Sequence, residues 1–184
     1  MTFYINANSH NSASKISALL KKCIRTYPYH WSELVFLCIG TDRITGDCLG
    51  PYIGQQLSAY NFPNFYVYGT LENPVHALNI QETEQTIRHL HPNSLIIAID
   101  ASLGQKKHLG YVTIAHGALY PGAAVHKNLP PIGHIHITGI VNISGVLEQL
   151  TLQTTRLSTV ISLAEQITEG ILQLIPISNF TQTL

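Results

Sequence analysis

Charge is scarce in this chain, and aspartate in particular. Aspartate occurs three times in 184 residues, as Asp42, Asp47 and Asp100. Charged residues of all kinds make up 11%, against roughly a quarter in typical domains. Thr, Ser, Asn, Gln and ten His must therefore cover much of the surface. Lys+Arg equals Asp+Glu, so the formal net charge is zero. That balance argues against nucleic acid, which needs a basic stripe along its backbone. No basic run marks a membrane surface, and no apolar run approaches the roughly 20 residues that span a bilayer. Cysteine is scarce too: Cys23, Cys38 and Cys48 form no C-x-x-C pair and no disulfide-scaffold spacing. Such a set points to a reducing compartment. The polar N-terminus (NANSHNSASK) has no apolar signal core. Neither G-x-G-x-x-G nor G-x-x-x-x-G-K-[ST] occurs, so a nucleotide site has no support. The absences predict a soluble, cytoplasmic protein with no nucleic-acid and no membrane partner.

What is present is a substantial hydrophobic fraction, 45%, enough for one domain spanning residues 1–184. Residues 1–11 read as a flexible arm. From Ser12 or Ser14, Ile16, Leu19, Leu20, Cys23 and Ile24 recur at helical spacing, and Tyr27-Pro28 ends that helix. Leu34–Ile39 is apolar throughout, as a strand buried on both faces of a parallel sheet must be. A helix is expected from Gly50-Pro51 to about Tyr60. Further strands are expected at Phe65–Tyr68, Leu95–Ile99, Tyr111–Ala115 and His134–Ile143, and further helices from about Val75 to Leu90 and from about Thr154 onward. Between them, Gly117–Gly133 reads as a long loop rich in Gly and Pro. Strands alternating with helices predict an α/β fold of three αβα layers with a mostly parallel sheet.

All three aspartates stand just past the ends of the Leu34–Ile39 and Leu95–Ile99 runs. In an open α/β sheet, ligands bind beyond the carboxyl ends of the strands, where strand order reverses. Neighbouring strands lie about 4.8 Å apart, so Asp47 and Asp100 on adjacent strands would face one crevice. Two close carboxylates cannot both ionise freely, and the pair then offers one acid and one base at neutral pH. That is enough to activate water against an amide. The same residues could instead bind a divalent metal, cap a helix or start a turn. Asp42 reads as turn chemistry beside Arg43. Cys48, near a helix N-terminus, could pair with His116 or His126, although the adjacent carboxylate opposes a thiolate. His134 and His136 share one strand face and could ligate a metal, but no third ligand is evident. His89 and His91 flank a helix end, where a cation favours the dipole.

The segment G-T-D-R-I-T-G-D-C-L-G-P (Gly40–Pro51) resembles the G-N-x-x-V-T-P-D-A-L-G-P loop of the spore germination protease. Ala98-Ile99-Asp100-Ala101 resembles that family's A-I-D-A-L, Tyr120–Val125 resembles its P-G-S-G-V-G-N, and Ile137–Val141 resembles A-I-G-V-P. These four motifs in order cover roughly residues 34 to 145. The match looks like the YyaC family of sporulation proteins, compact relatives of the germination protease. The wider superfamily includes the hydrogenase maturation endopeptidases, with a phosphorylase/hydrolase-like α/β fold. The resemblance implies a sporulation-associated endopeptidase with Asp47 and Asp100 as its catalytic pair. It places Gly40, Thr41 and Gly50 in the substrate-facing loop that aims Asp47, and Gly122 and His126 along the peptide groove. It implies a protein or peptide substrate and no cofactor or metal, and it is compatible with a homo-oligomer. There are departures. Gly46 stands where the germination protease has proline, Ser102 where it has leucine, and His126-Lys127-Asn128 where its loop continues G-N-K. The maturation enzymes place a nickel-sensing carboxylate at Asp47 followed by glycine, which here is Cys48, and their metal-binding histidine has no match. The alternatives are a non-catalytic peptide- or partner-binding protein on the same fold, and a metal-binding relative of the maturation enzymes.

Overall fold

The computed structural model describes residues 2–121 and 130–175. Its strands are β1 (Thr2–Asn6), β2 (Glu33–Cys38), β3 (Phe65–Tyr68), β4 (Ser94–Gly104), β5 (Tyr111–His116) and β6 (Ile135–Ile143). The helices are α1 (Ser12–Arg25), α2 (Leu49–Leu57), α3 (Ile80–Leu90), α4 (Glu148–Gln153) and α5 (Leu157–Leu172). The strands form one sheet in the order β1-β5-β6-β4-β2-β3. β2 pairs in parallel with β3 and β4, and β4 with β6. β5 runs against both of its neighbours, β1 and β6. The expected α/β layering with a mostly parallel sheet is therefore the architecture found.

The apolar runs explain the layers. Leu34, Phe36 and Cys38 of β2 turn to one face with Leu95, Ile97 and Ile99 of β4, and α1, α2 and α5 cover them. Val35, Leu37, Ile96 and Ala98 turn to the other face, where Ile80 and Ile87 of α3 pack with Leu119 and Ile132. Strands covered on both sides cannot alternate apolar with polar, which is why both read as continuous apolar runs. Phe36 is wholly buried, with its ring 4.8 Å from that of Phe65. Phe36→Ala is expected to cost about 3–5 kcal/mol through lost burial and an unfilled cavity. A lowered urea midpoint with an unchanged m-value would register it.

Four elements depart from the sequence expectation. The supposed arm is instead edge strand β1, with Thr2 opposite Ala115 and Asn6 opposite Tyr111. Ile5 is buried and Phe3 packs on the core, a signal the polar neighbours mask. The third helix begins at Ile80, because Val75 makes a parallel bridge to Ile39 and Asn79 Oδ1 accepts the His76 N–H at 2.8 Å. Helix α4 went unread: it is only six residues long, and the Asn142 side-chain amide ties it down by donating to the Thr151 carbonyl and the Thr155 hydroxyl. β4 continues past Asp100 to Gly104, paired with β6 across a bulge between Ser102 and Leu103.

Candidate active site

β2 connects through α2 to β3 on one side, whereas β4 lies on its other side. Strand order reverses between β2 and β4, and a crevice opens beyond their carboxyl ends. The β2–β4 ladder closes at Cys38 opposite Ile99, followed by an Ile39 N–H bond to the Ile99 carbonyl at 2.7 Å. Asp100 is the next residue, where β4 has lost its partner on that side. Asp47 is brought back to the same place by a closed loop. Gly40 N–H donates to the Val75 carbonyl, Thr41 N–H to the Asp47 carbonyl at 3.1 Å, and Asp47 N–H to the Ile44 carbonyl at 2.9 Å. A 3-10 turn over Thr45–Asp47 then leads into α2.

Both carboxyls line one cleft of about 620 Å³. Burial raises the Asp47 pKa to about 6, offset in part by a hydrogen bond from the Thr41 backbone. Asp100 is pushed well above the usual carboxylate range, first by desolvation and then by the neighbouring charge of Asp47. The Ala101 N–H on Asp100 Oδ1, at 2.8 Å, opposes that rise without cancelling it. Both carboxyls are thus pushed above their ordinary range, Asp47 to about 6 by burial and Asp100 by burial with the Asp47 charge added to it.

The other expected site residues divide. Gly40 and Thr41 line the cleft. Gly50 does not, which corrects its reading as a substrate contact. It is buried under β2, where a Cβ would stand 2.1 Å from the Ile39 carbonyl oxygen. Gly50 therefore lets α2 approach the strand and acts on the loop from beneath. Gly122 and His126 lie outside the described residues. Asp42 and Arg43 are exposed at the mouth of the cleft.

Cys48 is not among the residues that line the cleft. Its thiol donates to the Thr45 carbonyl at 3.0 Å, and burial, with the charge of Asp47 behind it, raises its pKa. The Cys48 thiol is therefore expected to react slowly with a thiol-alkylating reagent near neutral pH, and rapid labelling would reveal an activated thiolate. The ring of His116 is instead bonded to the Thr26 hydroxyl at 3.0 Å.

His134 and His136 serve the fold. His134 Nδ1 accepts the Ile96 N–H at 3.0 Å, and burial lowers its pKa. His136 Nδ1 bonds the Gly117 carbonyl at 2.9 Å. His91 closes α3 and lies between the Tyr68 hydroxyl (2.9 Å) and the Glu33 carboxylate (3.3 Å). Among the described residues, no group of three or more His, Cys, Asp or Glu is placed to hold a metal ion.

Sequence reading missed much of the cleft wall. Leu71, Pro74 and His76 come from the β3–α3 connection, and Leu152 comes from α4. Ser102 and Thr138 also line it; these hydroxyls in otherwise apolar strands were the one legible signal.

Fold and site together define an α/β protein with a part-buried carboxylate pair at the switch point of its sheet. In the solved structure of the [NiFe] hydrogenase maturation protease HycI from Thermococcus kodakarensis KOD1, the same fold recurs with a TM-score of 0.57. The match covers 86% of this chain and 99% of that one at 15% sequence identity. A family described as "Protein of unknown function (DUF1256)" matches residues 4–170, and the chain belongs to that family. It is also 43% identical over 168 residues to the "Uncharacterized protein YyaC" of Bacillus subtilis (strain 168), covering 91% of this chain and 81% of that protein. No helix among the described residues is long and apolar enough to cross a membrane.

Proposed function

We propose that this chain is a sporulation-associated endopeptidase of the germination-protease type, acting in the cytoplasm of the sporulating cell or spore. The observation that carries the reading is the carboxylate pair: Asp47 and Asp100, from adjacent strand ends, share one cleft, and burial raises both pKa values. Ionised Asp47 takes a proton from water as its oxygen attacks the peptide carbonyl carbon. Protonated Asp100 gives its proton to the leaving nitrogen as the C–N bond breaks. The products are a carboxylic acid and an amine, and the pair returns to its starting state by exchange with solvent. Cleft walls contributed by Leu71, Pro74, Leu119 and Leu152 suit the apolar part of a peptide.

The test is incubation of the purified chain with small acid-soluble spore proteins across about pH 5–8, read by mass spectrometry for new termini. Cleavage that disappears in both Asp47→Asn and Asp100→Asn supports the peptidase. Intact substrate at every pH, with peptide still retained by the protein, favours the same cleft as a binding groove.

A further inference from the structure

Asp100 does not stand alone on its face of the sheet. Its register partner on β6 is Thr138, and the partner of Thr138 on β5 is Thr113. The three form one row across three strands, with side chains on the same face. Ser102, two residues beyond Asp100 on β4, turns to that face as well. Thr138 and Thr113 are both buried. Apolar residues would fill such positions without a hydrogen-bond requirement.

The hydroxyls are joined in a defined sense. Ser102 Oγ shares its proton between Thr138 Oγ1 at 3.3 Å and the Gly139 carbonyl at 3.4 Å, and Thr138 and Thr113 share a bond of 2.7 Å. A hydroxyl carries one proton and two lone pairs. Among the described residues, the Thr113 hydroxyl has no other side-chain hydrogen-bond partner. A buried donor left unpaired is costly, so Thr113 donates to Thr138. Thr138 then accepts twice, both lone pairs are used, and its own proton remains. Thr138 lines the cleft with Asp100. Their strands are about 4.8 Å apart, a gap that a single bridging water spans.

We propose that Thr138 is a positioning residue for the aspartate pair, its hydroxyl locked by Ser102 and Thr113 so that it offers a proton to the Asp100 carboxyl through a bridging water. A donor at that place favours the ionised carboxylate. It limits how tightly Asp100 holds its proton and so keeps that proton transferable. The other charged or titratable side chains lining the cleft are Asp47 from the turn before α2, Asp42 and Arg43 after β2, Glu72 and His76 before α3, Tyr120 after β5, and Glu148 from α4. Among the described residues, none of these lies on β5 or β6. The inference takes the aspartate pair as the reacting groups, but its test needs no cleavage.

Labelling aspartate with 13C gives only three side-chain carboxyl signals, one for each aspartate in the chain. The full-length protein, Thr138→Val and Thr138→Ser are titrated by NMR. Thr138→Val is expected to raise the upper apparent pKa of the pair by about 0.5 or more, with Thr138→Ser restoring the parent curve. Identical curves for the parent and a folded Thr138→Val overturn the inference. If Thr138→Val does not fold, Thr113→Val carries the test: freeing the Thr138 hydroxyl gives a smaller rise of the same sign, and no rise overturns it. A chain that cleaves nothing yet shows the Thr138→Val shift retains this inference and loses the peptidase reading.

Discussion

Asp47→Asn and Asp100→Asn are each expected to lower peptide turnover by roughly 10²–10⁴-fold, the range that positioned proton transfer contributes. In the proposed mechanism, either change removes one member of a pair that acts as one ionised and one protonated carboxyl. In the parent, activity should rise with pH through about 6 as Asp47 ionises. It should fall again at the higher pH where Asp100 loses its proton. A pH–rate profile of kcat/KM reads both limbs.

The same substitution makes an opposite prediction for stability. Burial lifts Asp47 from its ordinary 3.8 to about 6 in the folded protein, so folding favours the protonated form. That stabilisation is complete below about pH 4 and is lost as pH rises through about 6. Above that range the parent carries a partly buried carboxylate at a cost on the order of 3 kcal/mol. Asp47→Asn carries no such charge. It should match the parent in urea midpoint near pH 4 and exceed it near pH 8. A variant less stable than the parent at both pH values would show that the carboxylate is compensated in the fold.

Gly40→Ala is expected to be the most damaging single change in the loop, costing about 3–5 kcal/mol. Gly40 has φ +138°, where L side chains are strained, and a Cβ there would stand 2.0 Å from the Asp47 carbonyl oxygen. Neither neighbour can yield cheaply, because the clash is with backbone rather than with a flexible side-chain end. The Asp47 carbonyl also accepts the Thr41 N–H that closes the loop. Relief of the clash therefore opens the loop and displaces Asp47. A fall of about 10 °C in melting temperature and a lowered Asp47 pKa in the carboxyl titration would appear together. Loss of stability with the Asp47 titration unchanged would separate the loop from the site.

The candidate pair was legible because aspartate is scarce. With three aspartates in the chain, all just past the ends of two continuous apolar runs, Asp47 and Asp100 stand out in the sequence as candidates. The layers were legible because strands buried on both faces admit no polar alternation, so Leu34–Ile39 and Leu95–Ile99 stand out. Boundaries shaped by tertiary contact were not. Val75 joins a strand end instead of a helix because Ile39 lies beside it, and Thr2–Asn6 becomes a strand because β5 offers an open edge. The walls from the β3–α3 connection and α4 carry no local pattern of their own.

By itself, then, the sequence determined the layered α/β fold, which follows from local period, and marked Asp47 and Asp100 as candidates by their place after two apolar runs. Only the tertiary structure decided that β2 and β4 are neighbours, that Gly50 supports the loop from below, and that burial lifts both carboxyls above their ordinary range. Each of these depends on which distant residues burial brings together, and desolvation acts through the surroundings of a carboxyl rather than through its place in the chain.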